Sequence, residues 1–488
     1  MSGPEGNGRG RDLPGHVVVI GGGIAGLTAA FRLSQAGVDV TVVEPDRLGG
    51  KLQTSMFAGR PVDETADAFL LRVPWAIALC HDLELDGELI SPAARSAQVF
   101  VNGVRRPLPD GQVLGVPTDL AALARSGIVS AAAVARVAAE LDLPADPADP
   151  GVSGPDVAIG AYLRRRLGDE VVDHLIDPLV GGINAGDTTL LSLAAVVPQL
   201  DAAARSGDPS IIRSCRAQRE QAQSSEIPGA APAPIFATPI GGMARLVDTL
   251  LGFMPGVEFR LGRRVTAIAV PEGLGPVRLT LDDDTGLDTD AVVLAVPAHV
   301  AAPLLADVAP GASTTLAAID HSSISMLTLA FDHGAVSPEP GMSGCLVPRD
   351  QGMLVTAISY ATSKWAQLQD ADRDDVLLRV SAGRFGDDRH LDLDDADLTE
   401  QILADLDRIL GVSAAPTEVR VGRWPRSFPQ YAPGHLDRIT ELEASLAHLP
   451  VMLAGAALRG VGIPACIRTG EEAAARLGAI WPTRRSVA

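Results

Sequence analysis

The sequence contains little cysteine, and its four cysteines are scattered. Cys80, Cys215, Cys345 and Cys466 form no CxxC pair and no Cys/His cluster, so neither a disulfide framework nor a zinc site is indicated. Buried free thiols in a reducing compartment are expected instead. No apolar run reaches the roughly 18 residues of a membrane-spanning helix. The first fifteen residues also lack the apolar stretch of a secretion signal. We therefore expect a cytoplasmic protein with a frayed amino terminus.

Positive charge and aromatic side chains are also scarce. The chain has 40 Lys and Arg against 60 Asp and Glu, which gives a formal net charge of −20. This balance argues against nucleic acid or an anionic membrane as a partner, and it means that individual arginines must hold any anionic substrate. Aromatic residues make up only 3% of the chain, so an aromatic-lined substrate cage is difficult to build.

The chain is long and rich in apolar residues. Its 488 residues, 47% of them hydrophobic, are enough for two or three lobes with separate cores. The stretch 145–155 is predicted to be a loop, and 214–234 is predicted to be a mobile loop. Residues 282–286 are predicted to form a hairpin turn rather than a metal site. The arginines of 164–166 are predicted to form a solvated face. Periodic patterns predict helices at 115–143, 162–175, 375–384 and 397–410, and strands at 257–296, 325–331 and 353–360.

The chain opens with a strand, a glycine turn, a helix and a second strand. Gly21, Gly23 and Gly26 give the pattern GxGxxG between the strand and the helix. There the first glycine permits a tight turn, the second lets the backbone approach a pyrophosphate, and the third lets helix pack on strand. Glu44 ends the second strand, where a carboxylate accepts hydrogen bonds from ribose hydroxyls and disfavours NADP. A dinucleotide site is predicted; a tight turn without a ligand is the alternative.

Two further segments favour FAD over NAD. Residues 47–51, RLGGK, resemble the R-x-G-G-[KR] extension of a large flavoprotein group, in which Lys51 can reach a phosphate or the flavin. An exposed lysine is the alternative. Near the end of the chain, 455–464 joins a strand to a helix, and a helix N-terminus aimed at the flavin stabilises negative charge on the reduced ring. A plain terminal helix is the alternative for this segment.

Across nearly its whole length the chain resembles the bacterial coproporphyrinogen and protoporphyrinogen oxidases, which use oxygen and contain FAD. The order and spacing of six segments make the resemblance specific. These segments are ADAFLLR (66–72), LGVPTDL (114–120), DPLVGGINAGDTTLLSLAAVVPQL (177–200), TSKW (362–365), RWPRSFPQYAPGHLDRI (423–439) and GVGIPACI (460–467).

The resemblance implies an α/β fold with three parts. The first is a discontinuous Rossmann-like FAD domain of the glutathione-reductase and amine-oxidase type, the second a mixed α+β substrate lobe, and the third a helical lobe. The expected limits are 14–60, 236–300 and 440–484 for the FAD domain, 61–105, 190–235 and 301–439 for the substrate lobe, and 106–189 for the helical lobe.

The resemblance also implies which residues contact FAD. Thr65 departs from the family pattern, which favours glycine there, and an ordinary core position is the alternative for Val265 and Trp424. The implied contacts are Gly21, Gly22, Gly23, Ile24, Ala25, Gly26, Glu44, Pro45, Lys51, Thr65, Ala66, Asp67, Ala68, Val265, Trp424, Val461, Gly462 and Ile463.

For the substrate, the resemblance implies that Gly182 faces the tetrapyrrole and that Leu346 forms an apolar wall. Arg72 is the candidate for a propionate, because a guanidinium pairs a carboxylate with two parallel hydrogen bonds. The alternatives are that Gly182 only forms a turn, that Leu346 belongs to the core and that Arg72 lies on the surface. His321 is predicted to be a core or rim histidine rather than a base. No catalytic side chain and no metal ligand is assigned.

The implied activity is the aromatisation of coproporphyrinogen III to coproporphyrin III in haem biosynthesis. The three two-electron steps transfer hydride from bridge carbons to the flavin, and O₂ is reduced to H₂O₂. Protoporphyrinogen IX is the alternative substrate. The acidic, non-membrane character of the chain favours coproporphyrinogen III, which has four propionates. The expected partners are substrate, O₂ and, transiently, the next enzyme of the haem pathway.

Three other functions stay open. Flavin amine oxidases and carotenoid desaturases share the dinucleotide motifs. Amine oxidases usually frame the flavin with aromatic residues, and Tyr162, Tyr360 and Tyr431 all lie away from 455–464 in the sequence, which weakens that alternative. The third alternative is an FAD-binding scaffold without turnover.

Overall fold

Five parallel strands drawn from distant parts of the chain form the first sheet. The computed structural model describes residues 13–144, 154–224, 234–273, 275–369 and 373–486. Four of the strands are largely buried and mostly apolar, as expected for parallel strands covered on both faces, whereas the edge strand Glu258–Leu261 is partly exposed. Their order across the sheet is Glu258–Leu261, Asp39–Glu44, His16–Ile20, Ala291–Leu294 and Val451–Leu453.

Two helices from opposite ends of the chain pack together beside this sheet. Ile24–Gln35 follows the first strand, and Ile463–Ser486 follows the last. A Cβ on Gly470 would lie 2.3 Å from the carbonyl oxygen of Ala25, so only glycine allows this approach. The sheet and its helices confirm the predicted discontinuous Rossmann-like fold class.

A seven-stranded mixed sheet forms the centre of the second lobe. All neighbouring strands are antiparallel except Met342–Leu346 and Ser96–Val101, which are parallel. The helix Asp395–Leu410 contributes to the buried cluster beside the sheet. The strand order is Glu418–Pro429, His321–Phe331, Val376–Ala382, Val355–Tyr360, Met342–Leu346, Ser96–Val101 and Val104–Pro107.

One helix prediction in this lobe is wrong. Residues 375–384 were predicted to be helical, but Val376–Ala382 is a strand paired on both sides, with His321–Phe331 and Val355–Tyr360. The run VLLRVSA is too short for its apolar spacing to distinguish helix from strand. Pairing with two neighbours that lie far away in the sequence decides the outcome.

The third lobe is helical, and its predicted first helix is divided. Asp119 caps one helix by accepting from Ala122 N–H at 3.0 Å, and Ser130 caps the next through Ala133 N–H at 3.2 Å. Gly127, with φ of 63°, separates them. The helices are Leu120–Ser126, Ala131–Glu140, Ile159–Leu167, Asp169–Val171, the π-helix Val172–Gly181, Gly182–Asn184, Leu193–Val196, Pro198–Ala204 and Ile211–Ser224.

The helical lobe extends beyond its predicted limit. Residues 214–224 were predicted to be part of a mobile loop, yet they belong to the helix Ile211–Ser224, whereas 225–233 lie outside the described residues. Leu193, Ile211 and Cys215 are buried in the same cluster as the earlier helices. We therefore propose 106–224 for this lobe, which removes 190–224 from the substrate lobe, and keep the remaining limits as proposed. The predicted loop 145–155 lies mostly outside the described residues.

The remaining elements are short. The hairpin turn predicted at 282–286 is present between two paired strands. Among the described residues, no helix has the length and apolar composition needed to cross a bilayer. The other strands are Thr54–Phe57, Arg60–Asp63, Phe69–Leu70, Leu89–Ile90, Gln112–Val113, Val116–Pro117, Phe236–Pro239, Val265–Ala269, Val277–Leu281 and Gly286–Thr289, and the other helices are Pro74–Asp82, Ala244–Gly252, Ala298–Leu304, Pro310–Ala317, Ala361–Lys364, His435–Ser445 and Ala456–Arg459.

A buried carboxylate fastens the helix Ile211–Ser224 to the rest of the helical lobe. Glu140 accepts from Ser210 Oγ at 2.6 Å and from Ile211 N–H at 2.8 Å, and Arg166 Nη1 lies 3.7 Å away. Burial raises the pKa of Glu140. Arg166 is itself buried, so the prediction that 164–166 forms a solvated face is wrong for this residue.

Replacing Glu140 by alanine is expected to lower the free energy of unfolding by about 3–5 kcal/mol, because the change removes the anion beside the buried Arg166 and the acceptor of the Ser210 hydroxyl and the Ile211 N–H. Glu140→Gln keeps one acceptor and should lose less. Urea unfolding monitored by circular dichroism measures both. Exposed Glu400→Ala is the control, expected within about 0.5 kcal/mol of the unmodified chain; an equally small loss in Glu140→Ala would contradict this role.

Candidate active site

The glycines of the first turn are required for different reasons. Gly21 has φ of 108°, and a Cβ there would lie 2.6 Å from Ala295 O. A Cβ on Gly26 would lie 2.0 Å from Gly21 O. Gly23 is different, because its φ of −74° suits any residue and a Cβ there would meet no atom within 4 Å. The space beside Gly23, at the start of the helix that begins with Ile24 and Ala25, therefore fits a ligand phosphate.

The RLGGK segment folds back onto this turn. Gly49 N–H donates to Gly22 O at 2.8 Å, and a Cβ on Gly50 would lie 3.1 Å from Gly23 Cα. Gly49 and Gly50 have φ of 94° and 58°, which favour glycine. The two predicted motifs thus form one backbone-lined surface.

Glu44 is fixed at the edge of the same surface. Its Oε2 accepts from Gly22 N–H at 2.7 Å and its Oε1 from Asp46 N–H at 2.9 Å. Each carboxylate oxygen keeps a lone pair for a ribose hydroxyl. Pro45 follows directly, and Arg263 N–H donates to Glu44 O at 3.4 Å, which brings the strand that begins at Val265 beside it. The Val265 side chain is buried in the core, and its strand lies at the edge of a three-stranded sheet.

Lys51 is a largely buried cation. Its Nζ donates to the carbonyl oxygen of Ser427 and lies 5.6 Å from the ring centroid of Phe428. Burial lowers the pKa of Lys51. No carboxylate forms an ion pair with it in the described part of the chain. A buried ammonium without a protein anion suits an anionic ligand, so the alternative of an exposed lysine does not hold.

The segment 65–68 is held by charged groups from the second lobe. Thr65 Oγ1 donates to Lys51 O. Asp67 pairs with Lys364 at 2.9 Å and with Arg379 at 3.0 Å, and it accepts from the indole N–H of Trp365 at 3.1 Å. Burial alone would raise the pKa of Asp67, but the two cations lower it below its ordinary value. Asp67 therefore fixes the segment, and the TSKW motif has a structural role.

Ala66 and Ala68 pack at the edges of two buried clusters. Their side chains therefore anchor the segment from both sides.

The closing glycine turn leads into the terminal helix. Gly455 has φ of 113° and donates its N–H to Thr469 Oγ1 at 2.9 Å. Val461 and Gly462 precede Ile463, the first residue of the helix. A Cβ on Gly462 would meet only Pro464, at 3.7 Å, so this side of the turn is open.

A tyrosine and a histidine support this turn from behind. Tyr431 OH donates to Ala456 O and accepts from Gly460 N–H at 3.0 Å. The Tyr431 ring stacks on His435 at 4.1 Å, and His435 Nε2 donates to Leu458 O at 2.8 Å. The expectation that no tyrosine lies near 455–464 is therefore wrong.

Tyr431 is buried behind the turn, so it does not frame the cofactor face as an exposed aromatic would. The contact between Tyr431 and the closing turn was not predicted because more than twenty residues separate them in the sequence. Tyr431 nevertheless lies in SFPQYAPGHL, which is part of the resembling segment 423–439.

A cavity of about 150 Å³ lies between the second and third lobes. Gly182, the residue predicted to face the substrate, lines this cavity. Trp424 pairs with Ile324 across neighbouring strands and so shares the cavity face, and the indole N–H of Trp424 is buried without a partner in the described chain. The lining residues are Asp177, Pro178, Gly181, Gly182, Ala185, Gly186, Ile324, Met326, Val347, Thr356, Ser381, Gly383, Arg384 and Phe428.

Two wider concavities, of about 430 and 500 Å³, open to solvent along the helix Ile211–Ser224. They contain none of the predicted site residues, so the smaller cavity is the candidate substrate site.

Three predicted residues lie apart from the cavity lining. Leu346 packs against the helical-lobe cluster, while its neighbour Val347 lines the cavity. Arg72 is exposed just before the helix Pro74–Asp82. His321 packs edge-to-face on His299 at 4.7 Å, and burial lowers the pKa of His321 to about 4. A neutral, partly buried imidazole agrees with the predicted core or rim position.

The comparison with protein families decides the family. The flavin-containing amine oxidoreductase model matches residues 24–478. The chain belongs to this family. Relatives include the coproporphyrinogen III oxidases of Bacillus subtilis, 33% identical over 94% of this chain and 97% of that protein, and of Mycobacterium tuberculosis strain H37Rv, 36% identical over 94% and 96%.

Solved structures agree with this family. A protein of Exiguobacterium sp. 255-15, provisionally named a protoporphyrinogen oxidase, has a TM-score of 0.83 at 28% identity, covering 95% of this chain and 98% of that one. A wild-type putrescine oxidase bound to putrescine has a TM-score of 0.66 at 17% identity over 95% and 99%, which shows the fold alone.

The cofactor of this family member is FAD. The residues fit FAD. Where the sequence predicts the cofactor, the described surfaces offer open space beside Gly23 and the fixed carboxylate of Glu44. They also offer the Lys51 ammonium, which has no carboxylate partner among the described residues, and the buried indole N–H of Trp424, which has no hydrogen-bond partner there. We propose the predicted contact residues as its binding set. Among the described residues, no cluster of His, Cys, Asp and Glu could hold a metal, and the four cysteines are free and buried, as predicted.

Gly23→Ala should fold normally but bind FAD at least tenfold more weakly, because the added methyl group fills ligand space and touches no protein atom. Fluorescence titration of the deflavinated chain measures the affinity. Gly252→Ala, another position where a Cβ meets nothing, is the control and should bind FAD normally. Unchanged affinity in Gly23→Ala would contradict the phosphate assignment.

His435 should make the protein acid-sensitive. Burial lowers its pKa from 6.5 to about 4, so its stabilising contribution is complete above pH 6.5 and is lost as the pH falls towards 4. The loss is about 3 kcal/mol. His435→Gln should remove this part of the pH dependence, as measured by urea unfolding between pH 7 and 4.

The exposed His448→Gln is the control and should retain the unmodified pH profile. A His435→Gln profile identical to that of the unmodified chain would refute the assignment.

Proposed function

We propose that this protein oxidises coproporphyrinogen III to coproporphyrin III. The observation that carries the proposal is the position of the cavity: Gly182 of the helical lobe faces Ile324, Met326 and Phe428 of the second lobe, beside the buried Lys51. Relatives that carry the name coproporphyrinogen III oxidase at 33–36% identity over nearly the whole chain support the substrate.

The protein's own groups position the substrate and exclude water. Ile324, Met326 and Phe428 supply an apolar wall, and Gly182 leaves room because a Cβ there would meet nothing within 4 Å. Bound FAD supplies the two-electron acceptor for each of three oxidations, and O₂ takes the electrons on to H₂O₂. Orientation against the cofactor is the protein's main contribution, and we assign no side chain to proton transfer.

Protoporphyrinogen IX is the second candidate substrate. A bovine protoporphyrinogen oxidase is 27% identical over 94% of this chain. The higher identity to the coproporphyrinogen III oxidases of Bacillus subtilis and Mycobacterium tuberculosis, 33% and 36%, favours the substrate with four propionates over the substrate with two. We further propose that the protein works in the cytoplasm and passes its product to the next haem-pathway enzyme.

Purified protein reconstituted with FAD should turn over both porphyrinogens in air, with kcat/KM at least tenfold higher for coproporphyrinogen III. Porphyrin fluorescence and peroxide should rise together, with three H₂O₂ formed per porphyrin. The deflavinated chain, assayed without added FAD, is the matched control for non-enzymatic oxidation.

A preference for protoporphyrinogen IX would reverse the substrate assignment. Rates equal to the control with both substrates would refute the oxidase function, and peroxide formed from putrescine would point to an amine oxidase.

A further inference from the structure

Arg384 is a buried guanidinium in the wall of the candidate substrate cavity. The residue is 7% exposed, and its Nε is buried without a hydrogen-bond partner. No side-chain hydrogen bond or ion pair involves Arg384 anywhere in the described part of the chain. The sequence offers no signal for this residue, because GRFGDD (383–388) matches no binding motif.

The backbone just before Arg384 is fixed. Gly383 has φ of 92°, and a Cβ there would lie 2.2 Å from Nε2 of the buried His390. His390 Nδ1 in turn lies 2.8 Å from Ser325 Oγ. Packing therefore holds the start of the Arg384 side chain at the cavity wall.

The nearby carboxylates are engaged by other groups. Asp177 accepts from the N–H and Oγ1 of Thr188 at 3.1 and 2.8 Å, and its nearest cation is Arg349, at 3.9 Å. Asp387 pairs with Arg389 at 2.7 Å. Asp177 and Arg384 are the charged residues of the cavity lining, and Arg349 lies beside Asp177 without lining the cavity. Because Asp387 is paired with Arg389, the group of Asp177, Arg349 and Arg384 carries one positive charge in excess.

This excess of positive charge persists at neutral pH. Burial lowers the pKa of Arg384 to about 10, and the charge of Arg349 acts in the same direction. Arg384 is still protonated under these conditions. Burying an unpaired cation is costly, and such groups persist where a ligand supplies the missing anion.

We propose that Arg384 binds a propionate carboxylate of the tetrapyrrole. This inference rests on the proposed function and adds a named contact to it. A cavity of about 150 Å³ is smaller than the roughly 300–1,000 Å³ of whole-ligand sites. It therefore receives one propionate-bearing edge of the substrate, with the apolar wall of Ile324 and Met326 against the ring. Arg72, the arginine predicted from sequence, is exposed and does not line this cavity.

Arg384→Met tests the proposal, because it removes the charge and keeps an unbranched apolar side chain. The Kd for coproporphyrin III, measured by fluorescence titration, should rise about 10- to 100-fold. The Kd for the uncharged tetramethyl ester should not change. With coproporphyrinogen III, KM should rise far more than kcat falls, and Arg384→Lys should recover part of the affinity.

Thermal unfolding separates ligand binding from a structural role. Without ligand, Arg384→Met should have an unchanged or higher Tm, because the lost cation had no protein partner. A lower Tm with an unchanged Kd for coproporphyrin III would show that the role is structural. Arg278→Met is the matched control: Arg278 is exposed and pairs with Asp288 in a separate sheet, so its removal should leave Kd and KM unchanged.

The two proposals fail in different ways. If the unmodified chain oxidises coproporphyrinogen III and Arg384→Met has the same Kd and KM, the carboxylate contact is wrong and the oxidase function stands. If the unmodified chain oxidises neither porphyrinogen, both proposals are overturned.

Discussion

The structure depends on close backbone approach between segments from opposite ends of the chain. Gly470 of the terminal helix lies against the first helix where no Cβ fits, and Gly26 lies against Gly21 in the same way. These contacts bring the opening glycine turn, the RLGGK segment and the closing turn onto one surface. A side chain at Gly26 or Gly470 would push these segments apart. The cofactor surface therefore forms only because glycine, which has no Cβ, occupies these positions.

Buried charges in this protein fall into two groups that differ in their partners. Asp67 and Glu140 have complete sets of partners, and each fastens one segment to another. Lys51 and Arg384 are buried cations without a carboxylate partner among the described residues, and both lie on surfaces where the sequence or the cavity indicates a ligand. Satisfied charges hold the fold together, whereas unsatisfied ones mark the places where ligands complete the structure.

Sequence reasoning was most successful where the determinants are local. The opening strand–turn–helix, Glu44, the hairpin at 282–286 and the closing turn follow from residues a few positions apart. It was wrong at 375–384, where VLLRVSA becomes a strand through pairing with two distant strands, and at 214–224, where burial of Cys215 stabilises a helix in a polar sequence.

The site shows the same limit. Tyr431 reaches the closing turn and Arg384 reaches the cavity only through tertiary folding, and the resemblance of segment 423–439 does not by itself show where Tyr431 lies. The sequence alone does not show whether an arginine or lysine will have an ion-pair or hydrogen-bond partner in the folded protein. That information comes from burial and from the neighbouring side chains.

The composite first sheet has a consequence for biosynthesis. Its strand His16–Ile20 leaves the ribosome long before Val451–Leu453 and the helix that follows that strand. At about 5–20 residues per second, roughly 20–80 s of translation separate Lys51 from Ile463. The buried residues of the helical-lobe cluster all come from 99–215, so the core of this lobe can form while translation continues. The nucleotide lobe closes only after the helix that begins at Ile463 has emerged, so the protein captures its flavin after this interval.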